Sequence, residues 1–357
     1  MIELSNIRRI SCRLQDTASR EVFSHRLMYS LTGDEKYIHP LGDAYLKSVV
    51  EASKWINFVN EIKLKSPNGM YIYGAGAFGK KIFELTCHDV DWNGFVDRSS
   101  AINEFCGLKV SSLDEYINNT NSKNSYIVIP SKTYYESMYE CLVEKGVSKE
   151  HIIDGRILYD LTEGRQYFDL VELPHAEKEV FVDAGCCDGN STVAFMDWCD
   201  GNGYSYCFEP DNRNYELVKE NFKKKSIDKF EIIRKGVWDK ETTLSFVASG
   251  DGQSHVSEIY GKKEQPTESV PVTSIDTVLA DKDVTFIKMD IEGAELNALM
   301  GAKNIIESYK PKLAICLYHK LLDVLEIPSY ILSLRSDYKL YMRHYSFGAA
   351  ETVLYAF

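Results

Sequence analysis

Apolar residues recur along the chain with two different periods, and the change between them divides it. Phe23, Leu27 and Leu31 stand four apart, and Tyr45, Val49, Trp55, Phe58 and Ile62 continue a helical spacing after the pair His39-Pro40. Residues 1–65 are therefore expected to be a polar helical segment, packing on a neighbour or making a homodimer contact. At Met70 the pattern switches. MYIYGAGAFGKKIFEL (70–85) reads as strand, glycine turn, helix, and GFVDRS (94–99) as a second strand ending in an acid. LKVSSLDEYI (108–117), the apolar run SYIVIP (125–130), a helix from Thr133 to Lys145 and HIID (151–154) complete a small α/β unit over 66–165.

The polar stretch with Pro174, residues 166–178, is expected to be a linker. A second α/β series then fills 179–357. Its expected strands are EVFVDAG (179–185), YSYCFEP (204–210), FEIIRKGVW (230–238), TFIKMDI (285–291) and KLAICLYH (312–319), with TLSFVAS (243–249) as an added strand. YKLYMRHY (338–345) and ETVLYAF (351–357) would close the chain as an antiparallel hairpin. The fold class is thus α/β: a smaller Rossmann-like domain, then a mostly parallel sheet ending in a hairpin.

Composition narrows the function. With 41 basic and 53 acidic residues the net charge is −12, which argues against broad nucleic-acid or anionic-membrane binding. No run approaches the ~20 apolar residues of a membrane span. The opening MIELSNIRRISCRLQD has no apolar core of a signal peptide, so a cytoplasmic protein is expected. Nine cysteines occur without any CxxC or zinc-type Cys/His spacing, which suggests free thiols and no metal.

Three local patterns carry candidate chemistry. In VDAGCCDGNS (182–191) a strand ends at Asp183 and a turn with Gly185 and Gly189 leads into a helix, whose N-terminal amides can meet a carboxylate or phosphate. Its D-x-G-x-x-x-G shape departs from the G-x-G-x-x-G fingerprint and is that of a methionine-binding loop, although a structural strand–helix turn reads similarly. The next strand ends in Phe208-Glu209-Pro210, so an acid stands 24 residues beyond Gly185, where it can accept both ribose hydroxyls of a nucleoside. In FIKMDIEGAELNALMGAKNII (286–306), period two places Lys288, Asp290 and Glu292 on one side. Buried parallel strands are usually apolar on both faces, so polar residues at such a strand's C-terminal end suggest a site.

These blocks, with KLAICLYHK (312–320), closely resemble the FkbM-type methyltransferases that use S-adenosyl-L-methionine (SAM). The resemblance covers about residues 179–357. It implies a class I Rossmann-like methyltransferase domain with SAM as cofactor, and a hydroxyl acceptor on a sugar, glycan or secondary metabolite. By position it implies Asp183, Gly185, Asp188 and Asn190 at the methionine end, Glu209 on the ribose, Val237 and Trp238 near adenine, and Asp290 beside the sulfonium. Cys186-Cys187 departs from the small or hydrogen-bonding residues usual in that loop.

A hydroxyl acceptor needs a base. His319, at the end of its strand, is the first candidate, with Asp290, Glu292 and His255 as others. A divalent cation held by the carboxylates and His319 is the open alternative. The small domain has its own full G-x-G-x-x-G, Gly74 to Gly79, with Asp97 21 residues beyond Gly76. A nucleotide or nucleotide-sugar at Gly74, Gly76, Gly79 and Asp97 is expected, or a scaffold that keeps only the turn. An NAD(P)-dependent oxidoreductase is a further alternative, but no Tyr-x-x-x-Lys centre accompanies the loop.

Overall fold

The structure is a computed structural model that describes residues 4–48, 52–98, 102–118, 124–131, 133–157, 166–247, 255–256 and 268–357. It divides into two compact units, Asp43–Gly164 and a larger one that joins Met1–Gly42 to Arg165–Phe357. Among the described residues no helix is long and apolar enough to cross a membrane. The cysteines are free thiols.

In the smaller unit the strands are β1 (Met70–Tyr73), β2 (Trp92–Asp97), β3 (Glu104–Phe105), which was not expected, β4 (Leu108–Ser112), β5 (Tyr126–Ile129) and β6 (Ile152–Asp154). The sheet order is β3-β4-β2-β1-β5-β6, parallel except for the β3–β4 edge. The chain winds outward from β1 to one side and then returns to the other, so the strand order reverses between β1 and β5. The helix Ala77–Thr86 follows the glycine turn, and Tyr135–Glu144 lies within the expected span from Thr133 to Lys145.

The larger unit is built on β7 (Glu179–Ala184), β8 (Gly203–Phe208), β9 (Phe230–Ile233), β10 (Gly236–Val237), β11 (Thr242–Val247), β12 (His255–Val256), β13 (Glu268–Thr273), β14 (Phe286–Met289), β15 (Lys312–Cys316), β16 (Leu340–His344) and β17 (Thr352–Ala356). Its main sheet runs β16-β17-β15-β14-β7-β8-β9. The five strands from β15 to β9 are parallel, and β17 inserts antiparallel between β15 and β16. This is a Rossmann-like sheet, with the expected hairpin in place.

One expected strand is two. FEIIRKGVW breaks after Ile233, and Gly236-Val237 leaves the main sheet to pair with β13 in a second sheet, β10-β13-β11-β12. The apolar pattern does not predict β13. Its ESVPVT carries Pro271, which cannot donate to a ladder and so masks a strand.

The expected segmentation of the N-terminal half also changes. Residues 1–65 are not one arm: the division falls after Gly42. Leu14 bridges to Leu340, and the Gln15 amide donates to the Leu340 carbonyl (3.0 Å), so the N-terminus covers the exposed edge of β16. The helix Thr17–Thr32 is capped by Asp16, which accepts from the Ser19 amide, and ends at Gly33 in the left-handed region. Its buried face is Ser19, Val22, Phe23 and Arg26, whereas Leu31 of the expected stripe is 53% exposed. His39-Pro40 opens the helix His39–Ser48 instead of breaking one, because a proline in the first turn removes no helical bond. Val49 lies outside the described residues.

Residues 166–178 are not a free linker either. Tyr167, Leu170 and Leu173 are buried with Phe181, Phe195 and Phe286. Phe168 stacks edge-on against Phe181 and Phe286.

Candidate active site

The C-terminal ends of β7, β8 and β14 open onto a cleft whose walls include Gly185, Glu209, Val237, Asp290 and Glu292. Leu244, Val270 and Val272, from the small second sheet, add an apolar side. Apolar walls with a few polar groups are the usual make-up of a small-molecule site.

The loop after β7 is closed by its own hydrogen bonds. The Gly185 and Cys186 amides donate to the Phe208 carbonyl (3.1 and 3.3 Å), and the Gly189 amide to the Cys186 carbonyl (2.7 Å). Asp188 accepts from the Asn190 amide (3.0 Å). Gly185 is needed in the turn: its φ is +76°, and a Cβ there would fall 2.0 Å from the Asp290 carbonyl oxygen. Gly189 packs under the ring of Phe222.

Several expected contacts sit behind the cleft. Asp183 is wholly buried, accepting from Ser191 Oγ (2.6 Å) and Thr192 Oγ1 (2.8 Å). It also pairs with Lys288 (3.1 Å), whose Nζ donates in addition to the Gly185 carbonyl (2.8 Å). Asp183 and Lys288 thus brace the loop from below. Asp188 and Asn190 bond each other, with Asn190 exposed. Trp238 is not on the cleft wall; its amide donates to the Thr273 carbonyl.

Glu209 does face the cleft. Its two carboxylate oxygens accept from the Cys187 amide (2.9 Å) and the Asp211 amide (2.9 Å), which fix the group in place. Burial pushes it up to about 7, against the opposing effect of these bonds.

Asp290 follows directly after β14. Tyr318 donates to its Oδ1 (2.9 Å) and Tyr167 to its Oδ2 (3.0 Å). Burial favours its neutral form, but Lys288, His319 and these hydroxyls hold its carboxyl below the usual range. Tyr167 was hidden from sequence reading because it lies in what looked like a polar linker. Its φ of +76° is unusual for so bulky a residue and marks a position fixed by its surroundings.

Glu292 lines the cleft with φ +53°, and burial pushes it up to about 7. His319 is nearly fully buried. Burial alone would lower its pKa, but Glu295, Asp290 and Glu292 raise it to about 9. His319 is not on the cleft wall; its Nε2 stands 3.5 Å from Asp290 Oδ1 and 3.6 Å from Glu292 Oε2.

Residues 183–340 match the family model described as the methyltransferase FkbM domain. This part of the chain is an FkbM methyltransferase domain. The methyl donor of this family is SAM. A crystal structure of methyltransferase FkbM from Methylobacillus flagellatus KT aligns with 91% of this chain and 100% of its own, at 20% identity and a TM-score of 0.50. An rRNA methylase from Streptococcus thermophilus aligns over 50% of this chain and 86% of its own (14% identity, TM-score 0.31). A fibrillarin from Aeropyrum pernix aligns over 53% and 71% (12% identity, TM-score 0.34). No curated protein matches the chain. The FkbM domain's cleft suits SAM: a buried carboxylate at a strand end can take vicinal hydroxyls, and apolar walls can take a purine.

In the smaller unit Gly74, Gly76, Gly79 and Asp97 all line a cavity of about 450 Å³ at the ends of β1, β2 and β5. Asp97 Oδ2 accepts from the Ala75 amide (2.8 Å), so it braces the glycine loop. A Cβ on Gly79 would meet the Gly74 carbonyl oxygen at 2.0 Å, which keeps the turn tight.

Proposed function

We propose that this FkbM-type enzyme methylates a hydroxyl oxygen, on a sugar, glycan or secondary metabolite. Glu209 and the apolar walls hold the nucleoside of SAM, and Gly185 lets the loop close on Asp290. Asp290 is a fixed negative group beside the donor. Bound SAM supplies a methyl already activated by the sulfonium. The chain's task is then to orient an oxygen and remove its proton. Glu292 takes that proton: it is a carboxylate on the cleft wall next to Asp290. Its position is the observation that carries the reading, because an oxygen acceptor has a proton to lose as the C–O bond forms.

The test is single-turnover transfer from labelled SAM to a panel of glycosides, polyols, amines and thiols, with the product linkage read by NMR. Glu292→Gln should slow transfer by ~10²-fold or more while SAM affinity holds. Methylation confined to nitrogen, carbon or sulfur, or a full rate in this variant, would overturn the reading.

For the unit Asp43–Gly164 we propose a nucleotide or nucleotide-sugar site. The cavity lies where the strand order reverses, the usual place for ligands on such sheets, and Arg98 on its rim can meet a phosphate. Calorimetry of the full chain with UDP- and GDP-sugars and with NAD separates the options. No binding of any of them favours a scaffold, and NAD alone favours the oxidoreductase alternative.

A further inference from the structure

Next to Asp290 the chain gathers more buried carboxylate than it neutralises. Asp290, Glu292, Glu295 and Asp323 surround one imidazole, His319, while Lys288 is committed to Asp183 and the Gly185 carbonyl. Glu295 is fully buried. Its Oε1 accepts from the Ile291 amide (2.9 Å) and lies 2.9 Å from His319 Nδ1, but its Oε2 has no hydrogen-bond partner. His319 Nε2 is likewise buried without a hydrogen bond. It stands 3.5 Å from Asp290 Oδ1 and 3.6 Å from Glu292 Oε2. A buried carboxylate oxygen with no donor is costly unless something else satisfies it.

The spacing fits a metal ion. Asp290, Glu295 and His319 each offer one donor atom, and these atoms lie within 4.8 Å of one another. A metal about 2.1 Å from each ligand needs donors about 3.0–3.4 Å apart for right-angle or tetrahedral geometry; Nε2 and Asp290 Oδ1 stand 3.5 Å apart, and Glu295, whose Oε1 lies on the Nδ1 side of the ring, has to turn its free Oε2 toward the ion. We propose that Asp290, Glu295 and His319 bind a divalent metal ion beside the cleft. Two carboxylates and one imidazole suit Mn²⁺ and its neighbours better than a soft ion. Ligation requires the neutral imidazole, so binding should strengthen as pH rises. If the methyl-transfer reading holds, the ion lies where it can hold an acceptor oxygen, but its binding does not depend on that reading.

The test is an EPR titration of the EDTA-treated full chain with Mn²⁺. One tight ion per chain is expected, with affinity at least ~10-fold weaker in Glu295→Gln and in His319→Gln. Circular dichroism and SAM calorimetry confirm that each variant is folded. Should neither variant fold, Mn²⁺ anomalous scattering from wild-type crystals must place the ion between the three side chains. No tight ion, equal binding in both folded variants, or an ion elsewhere overturns the proposal. Loss of the metal with SAM binding intact leaves the methyltransferase reading standing; metal binding without SAM binding leaves only the metal.

Discussion

The proposed ribose contact of Glu209 should make SAM affinity depend on pH in a way that can be worked out in advance. Burial raises its carboxyl to about 7, so the free protein holds it roughly half ionised at neutral pH. Accepting two ribose hydroxyls favours the ionised form, because its bonds are charge-assisted. Affinity should therefore rise with pH through 7 and level off above it. The ionised fraction falls from about one half at pH 7 to about one hundredth at pH 5, so affinity should weaken by up to about 50-fold over that interval. Glu209→Gln removes the charge and turns an amide nitrogen toward the Cys187 or Asp211 N–H, where a donor meets a donor. The variant should bind at least ~10-fold more weakly at pH 8 and lose the slope between pH 5 and 7. Calorimetry with SAM and with S-adenosylhomocysteine reads both effects. The demethylated ligand keeps the ribose, so it should show the same slope. A flat wild-type profile, or a slope that survives in Glu209→Gln, would refute the ribose assignment.

Two further predictions concern the frame of the site. Phe23→Ala empties a buried position of the larger unit's core and should cost about 3–5 kcal/mol in denaturant unfolding; a loss under ~1 kcal/mol would mean that residues 1–42 are not part of that core. Lys288→Met leaves Asp183 buried without its cation and should destabilise by about 3–5 kcal/mol; unchanged stability would show that Ser191 and Thr192 suffice for Asp183.

Sequence alone determined what is encoded locally. A strand that ends in an acid, a glycine turn and a helix are written within about ten residues, so the cleft at Gly185, Glu209, Asp290 and Glu292 was legible, as were the two α/β units and the hairpin. Glu209 and Asp290 sit at strand ends, and a parallel sheet brings its C-terminal ends together whatever the intervening loops do. Tertiary structure decided the rest. Residues 4–42 read only as polar helices until β16 offered them an edge to cover. Tyr167 had no pattern of its own; packing against Phe181 and Phe286 carries its neighbour Phe168, and with it the hydroxyl that reaches Asp290. The split of FEIIRKGVW (230–238) depends on the pairing of β10 with β13, more than 30 residues away. Asp183 looked like a ligand contact because its motif places it next to one, but its register opposite Lys288 turns it inward. The surroundings of His319 were the least readable feature, since only folding brings Asp290, Glu292, Glu295 and Asp323 around the ring. Backbone motifs are local and survive in a string of letters. Burial and the electrostatic field at a side chain are sums over neighbours distant in sequence, and they exist only once the chain has closed.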